Sequence, residues 1–260
     1  MISNLAHISP TAKIGENVKI HPFVAIDDDV EIGDGCEIFP FVSIVRGTRI
    51  GRNNKIYSGA ILGADPQDFR WKGCRSFCYI GDNNVIREQV IINRGITSEG
   101  GTRIGNDSFF MAGCHIGHDC QIAGKSVFGN GVKVAGDVKI GMNTILSSNA
   151  IVHESSVVGD WVLVKGGCRI SNNVPPYTIM GHNPAVYLGT NAYILRGNGL
   201  SNDEIDNIAK AYRHIYQSGS SVYNAIKRIE ADVEDTPYRQ EILDFIYKVN
   251  FKIIAVPEIE

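Results

Sequence analysis

Every sixth residue from Ile8 to Ile170 is aliphatic or aromatic, except at Asp68, Cys74 and Ser98, and few folds tolerate such a beat. Helical patterns repeat near 3.6 residues and strand patterns near 2, so neither alone produces it. Six divides the coil of a hexapeptide solenoid. The spacing predicts a parallel β-helix of triangular coils, roughly 18 residues each, with three short parallel strands per coil stacked about 4.8 Å apart. Residues eighteen apart then lie one above another. Four places after each metre position comes a small interior slot, filled by Ala12, Val18, Val24, Val30, Val42 and Ala60. Cys36, Cys78, Cys114, Cys120 and Cys168 fall in the same slot, which makes them small buried hydrophobes rather than disulfide partners or metal ligands.

The metre resumes in phase after each lapse, so the segments near 63–77 and 98–102 are loop insertions that leave the faces unshifted. Asp68 stands at an inward position, where an unpaired carboxylate would be costly, and is expected on an excursion outside the core. Long loops in compact proteins carry function or motion. The adjacent Pro175 and Pro176 are expected to end the strand regime. Ser201 to Glu204 then form a capping box before a helix that stops near Gly219, a second helix follows over 221–234, and Thr236 and Pro237 open a third. The expected division is a solenoid over 1–190 and a helical domain over 191–260.

With 25 Lys and Arg against 28 Asp and Glu, the formal charge of −3 gives no sign of nucleic-acid binding. The N-terminus lacks a basic region followed by an apolar run, and no stretch approaches the roughly 18 apolar residues of a membrane span. A cytoplasmic protein is the expectation.

His115 and His118 sit together in CHIGHDC, and His153 follows in IVHESS. With Ile116 inward, His118 and Asp119 occupy a turn, where side chains can face solvent or a neighbouring molecule. An imidazole titrates near neutrality and a carboxylate stabilises its protonated form, so a His–Asp pair suits general-base work. A surface histidine making an ordinary hydrogen bond fits the dipeptide too.

The solenoid, CHIGHDC, IREQVIINRGIT, the PQDFRWKG loop, NNVPPYTIMGHNP and the helical C-terminus together resemble the UDP-N-acetylglucosamine O-acyltransferases, in order and spacing over essentially the whole chain. The resemblance implies a left-handed parallel β-helix, a homotrimer with active sites between subunits, and no metal or redox cofactor. It also implies transfer of a 3-hydroxyacyl chain from acyl carrier protein to UDP-N-acetylglucosamine, the first step of lipid A synthesis. His118 matches the general base, Asp119 the residue that orients it, and the Gly136 N–H the oxyanion donor, a group worth about 3 kcal/mol. Gln67 and Asp68 match residues that hold the sugar nucleotide, His115 and His153 pocket histidines, and Asn191 a nucleotide contact. Gly166 matches the position where a large side chain shortens the acyl groove, so a glycine implies a longer chain. The carrier protein is typically acidic, which makes Arg169, Arg196, Lys210 and Arg213 candidate contacts.

The chain departs from the family pattern at three places. Asp137 stands where a pocket histidine is usual, Arg70 replaces a lysine, and Arg196, Gly197 and Asn198 replace a basic run. Arg70 presents a planar fork in place of a point charge. These changes leave open an acceptor with a 3-amino group, or a non-catalytic paralogue that binds sugar nucleotide. The sister N-acyltransferases carry a domain before the solenoid, whereas repeats here begin at Ile8. The hexapeptide carbonic anhydrases hold zinc through a different histidine spacing from His115 and His118.

Overall fold

The computed structural model describes residues 1–254 of the chain; the end of the expected helical segment, 255–260, lies outside the described residues. The architecture is a left-handed parallel β-helix followed by a small helical region. Among the described residues, twenty-seven strands, most of them two residues long, form three sheets of nine, eight and ten strands. The first sheet begins at His7–Ile8, the second at Lys13–Ile14 and the third at Lys19–Ile20. Pairing runs in the eighteen-residue register: His115 lies beside Lys133, Lys133 beside Ile151, and Ile151 beside Arg169.

The metre residues form the core. Ile26, Ile44, Leu62, Ile92, Ile116, Val134, Val152 and Ile170 make one inward column and are buried. Burying each such side chain contributes about 1.5–3 kcal/mol against exposure. The slot four places on holds the five cysteines as expected, all buried and unbridged. At one corner, however, that slot carries the polar column Asn54, Asn84, Ser108, Ser126 and Thr144, also buried. It lies beside the turn backbone: Asn54 Nδ2 donates to the Gly81 carbonyl at 2.9 Å, and the Asn54 and Asn84 side-chain oxygens accept the Asn84 and Ser108 N–H groups, each at 2.9 Å. The slot selects for size, and the corner chooses polarity.

The insertions prove shorter than their sequence bounds, because strands Ile61–Ala64 and Phe77–Ile80 take the ends of the first and strand Gly101–Asn106 the end of the second. The strand regime does not end at Pro175 and Pro176. Thr178–Gly181 stacks in parallel on Leu163–Val164, and Val186–Thr190 then turns back antiparallel along it. The prolines occupy the turn before the strand, where their missing N–H groups break no ladder bond.

A short helix, α1 (Ala192–Gly197), precedes the three expected ones, α2 (Asn202–Tyr216), α3 (Val222–Asp232) and α4 (Pro237–Lys248). Ser201 and Glu204 form the capping box reciprocally, and Pro237 opens α4 behind the Thr236 cap. The helices bury their own core, with Leu195, Ile208, Tyr212, Ile229, Ile242 and Ile246 at its centre. Hydrogen bonds from Tyr212 to the Pro176 carbonyl and from Tyr177 to Glu241 fix this core to the end of the column.

Candidate active site

His118 lies in the turn between strands His115–Ile116 and Gln121–Gly124, at the corner joining the first and second sheets. A side chain in this turn can face solvent or a neighbouring molecule, and within the chain His118 is only 6% exposed. Both insertions cover it. From residues 94–100 and the strand after them, the N–H groups of Ile96 and Gly101 donate to the two Asp119 carboxylate oxygens at 2.9 and 3.0 Å. Asp119 Oδ2 also pairs with His118 Nδ1 at 3.0 Å. The aspartate holds φ at 56°, a left-handed turn conformation that short polar side chains tolerate. Its position on the backbone aims the carboxylate at the ring.

From residues 65–76 comes Asp68, whose Oδ2 lies 3.3 Å from His118 Nε2. The side-chain and backbone hydrogen bonds of Arg70 hold the Asp68 carboxyl well below the usual carboxylate range. The Arg70 fork contacts Asp68 through Nε at 3.0 and 3.1 Å and through Nη2 at 2.7 Å, and the Arg70 N–H adds a bond at 2.7 Å. Asp68 therefore lies outside the core, as its break in the metre implied, and stays ionised. Gln67 is exposed beside it.

Eighteen residues beyond His118, Gly136 occupies the equivalent turn one coil on. A β-carbon there would collide with the His118 ring, nearest to Nε2 and Cε1, so only glycine leaves the ring its place. At the corner joining the second and third sheets the N–H at this turn position is taken by an Asp or Asn side chain, as at Glu16, Arg52, Asp82 and Met142. The Gly136 N–H has no such acceptor among the described residues, although Gly136 is buried. Asp137 donates its N–H to the His118 carbonyl at 2.9 Å, and its carboxylate lies 3.9 Å from Arg70 Nη2.

Beside this corner an open groove of about 430 Å³ runs over the first sheet, lined by His115, Lys133, Ala135, Ile151, His153 and Glu154. Burial, aided by the Lys133 charge, pushes the His115 imidazole down from its ordinary value. Arg169 Nε donates to His153 Nε2 at 2.6 Å. Gly166 is exposed at the opposite corner of the same sheet, between strands Leu163–Val164 and Arg169–Ile170. Asn191 and Arg196 are not brought to His118 in this chain. Asn191 is buried, donating from Nδ2 to the Trp161 carbonyl at 2.9 Å, while Arg196 bonds Asn202. In the helical region Lys210 donates to the Asp232 carbonyl, and Arg213 is exposed.

Three contributors escaped the sequence reading. The Ile96 and Gly101 amides carry no side-chain signal. Glu154 does carry one: it lies thirty-six residues after His118, two coils along the same corner, and contacts Arg70. Within the corner, His118 with Asp68 and Glu154, or with Asp119 and Asp137, brings potential ligand atoms within 4.8 Å of one another. The Arg70 guanidinium already lies against Asp68 and Glu154 and supplies positive charge there.

Comparison with known proteins accords with this fold. Residues 101–136 match the bacterial transferase hexapeptide family, 2–99 the GMPPB C-terminal domain, and 173–253 domain 2 of the UDP-N-acetylglucosamine O-acyltransferases. The fold and site thus define a hexapeptide-repeat transferase. The acyl-[acyl-carrier-protein]–UDP-N-acetylglucosamine O-acyltransferase of Halorhodospira halophila is 38% identical, covering 93% of this chain and 94% of its own. The solved UDP-N-acetylglucosamine acyltransferase of Bacteroides fragilis superposes with a TM-score of 0.96 at 47% identity, over 98% of this chain and 100% of that one. Its counterpart from Francisella novicida gives 0.95 at 34% identity, over 99% and 95%. The chain belongs to the UDP-N-acetylglucosamine O-acyltransferase family.

Proposed function

We propose that this protein transfers a 3-hydroxyacyl group from acyl carrier protein to the 3-hydroxyl of UDP-N-acetylglucosamine, the first step of lipid A synthesis. One observation carries the reading: His118 is fixed through Nδ1 by Asp119 while Nε2 adjoins Gly136, whose buried N–H has no acceptor among the described residues. With the Nδ1 proton donated to Asp119, Nε2 is the basic atom. It then faces the Asp68 carboxylate at 3.3 Å, acceptor against acceptor, an arrangement that an incoming hydroxyl relieves by donating between them.

Nε2 removes the proton from the sugar 3-hydroxyl as its oxygen forms a bond to the thioester carbonyl carbon. The carbonyl oxygen gains the negative charge and takes the Gly136 N–H, which a buried site makes worth about 3 kcal/mol. The carbon–sulfur bond then breaks, and the departing sulfur receives the proton held on His118. Asp119 supports the imidazolium between these steps. Every step uses side chains and backbone alone, without metal or redox cofactor.

The same reading makes the protein a cytoplasmic homotrimer. Asn191 and Arg196, remote from His118 within one chain, then serve the nucleotide in a neighbour's site. Among the described residues, no helix is long and apolar enough to cross a membrane. Arg169, Arg196, Lys210 and Arg213 are offered as carrier contacts. Of these, Arg169, Arg196 and Lys210 also have partners within the chain. Gly166 leaves its end of the groove open to a long acyl chain.

Mass spectrometry of products from a panel of 3-hydroxyacyl carriers, offered with UDP-N-acetylglucosamine and its 3-amino analogue, tests the proposal. An ester product with a long chain is expected. Amide formation only would shift the acceptor, and no product with any pair would leave a binding protein.

A further inference from the structure

Glu154 belongs to neither the acid–base pair nor the oxyanion donor, yet its carboxylate points at the loop that covers them. Residues 118, 136 and 154 share one corner of three successive coils, as the Asp137 to His118 and Ser155 to Gly136 backbone bonds show. Two coils span about 10 Å, and the His118 and Glu154 side chains together bridge it, bringing a Glu154 carboxylate oxygen within 4.8 Å of the imidazole. Arg70 meets Glu154 there. The missing side chain of Gly136 leaves the intervening space to the His118 ring.

Arg70 Nη2 donates to Glu154 Oε1 at 2.5 Å while the fork binds Asp68, and Asp68 Oδ2 faces His118 Nε2. The result is a cluster of four side chains, Glu154, Arg70, Asp68 and His118, drawn from two coils and one loop, in which atoms of Glu154, Asp68 and His118 lie within 4.8 Å of one another. Arg70 has one alternative carboxylate, Asp137, whose contact at 3.9 Å is much longer. Glu154 and Arg70 are each about half exposed, a setting in which ion pairs add little to stability. Their pairing instead fixes a direction. A guanidinium held at both ends presents Asp68 to the ring in one orientation, whereas one held only by Asp68 can swing with the loop.

We propose that Glu154 is a positioning residue for the reaction, setting Arg70 and through it the Asp68 loop before the sugar nucleotide arrives. This deepens the proposed acyl transfer and, in its kinetic part, rests on it. The energy of ordering the loop is spent in advance, so loss of Glu154 weakens acceptor binding more than chemistry.

The experiment uses the full-length protein with Glu154→Gln, Arg70→Met and the double variant. Hydrogen exchange without any substrate is read first at the Arg70 and Trp71 amides. Faster exchange in Glu154→Gln, at an unchanged melting temperature, is expected. Steady-state kinetics then read KM and kcat for each substrate. Glu154→Gln is expected to raise KM for the sugar nucleotide by about tenfold, with kcat and the carrier KM held within about twofold. In the Arg70→Met background the same substitution is expected to add nothing. An equal KM rise in both backgrounds, unchanged exchange, or a loss spread over all parameters together with a lowered melting temperature overturns the proposal. The exchange result stands apart from turnover, so a wrong assignment of the reaction and a wrong assignment of Glu154 give different outcomes.

Discussion

At the corner joining the first and second sheets, Asp28 and Asp29 form a polar pair in one coil, and His118 and Asp119 form another further along. Asp29 and Asp119 each follow their metre residue by three places and have φ of 54° and 56°, so the backbone offers them the same direction. Their partners differ. Asp29 takes Arg49 Nη2 at 2.5 Å and Arg75 Nη2 at 2.8 Å. Burial works to raise its carboxyl, but the two arginines outweigh that and hold it below the ordinary range. Asp119 takes two backbone N–H groups and an imidazole. One carboxylate is neutralised by full charges and serves as a staple; the other is oriented without being neutralised, and keeps its charge for the ring. A single excursion, 65–76, reaches both, Arg75 going to Asp29 and Asp68 to His118.

This contrast makes graded demands on variants. His118→Ala should lower kcat by about 10³-fold or more while leaving the melting temperature within a few degrees, and Asp28→Ala should leave turnover unchanged. Equal loss from both would erase the distinction. Gly136→Ala comes next, with a fall of about 10²-fold to 10³-fold, because the added carbon displaces the imidazole and crowds the N–H. Nucleotide binding measured by calorimetry should persist.

A smaller and more discriminating effect comes from the two aspartates. Asp119→Asn should cost tens-fold in kcat, whereas Asp29→Asn should cost about 1 kcal/mol of stability in denaturant melts with kcat intact. Reversal of that pattern would place the staple at the wrong coil. A last effect concerns the column beneath both. Burial pushes the Cys78 and Cys120 thiols up to about 12, and Cys114 and Cys168 to about 11, from 9.0. The unfolded chain then binds fewer protons than the folded one above pH 9, so the thiol contribution to stability is full below that value and is lost as pH rises towards 12. Stability measured from pH 8 to 11 should fall, less so in a Cys78→Ala, Cys120→Ala variant. In the native protein at pH 8, alkylation should reach Cys74 first, since it alone of the six lies outside the buried class.

Much of the column could be read from the chain because its signal is repeated in every coil. Ile26, Ile116 and Ile170 report the same inward direction, and a single lapse such as Asp68 stands out against so many agreements. The corner chemistry was less accessible. His118 was visible as a residue, but its burial depends on two loops whose folding no period describes. Asp68 was placed off the core by the cost of burying a carboxylate and beside the sugar nucleotide by the family resemblance, while its approach to Nε2 came from the structure. The amides of Ile96 and Gly101 had no side chain to announce them. The polar column from Asn54 to Thr144 was passed over because the slot was read for size alone. Proline grammar misled at 175–176, since a residue without an N–H interrupts a ladder only where a ladder bond is required. Glu154 was within reach of the eighteen-residue ruler and needed only one more application of it.

The antiparallel strand Val186–Thr190 does more than finish the third sheet. A pile of near-identical two-residue rungs contains no instruction about where to stop, and its last parallel edge offers open amides and carbonyls to any strand of another molecule. Reversing direction on Thr178–Gly181 replaces that template with one that the next rung cannot copy. At the second sheet, Asn173 pairs with Ile253 and the Ile254 N–H donates to the Asn173 carbonyl, closing a second edge with a stretch of chain far from the repeats. The column is thus given a finite length by residues outside its own rhythm, and a fold with the geometry of a fibre is terminated at these edges before it can recruit a second molecule.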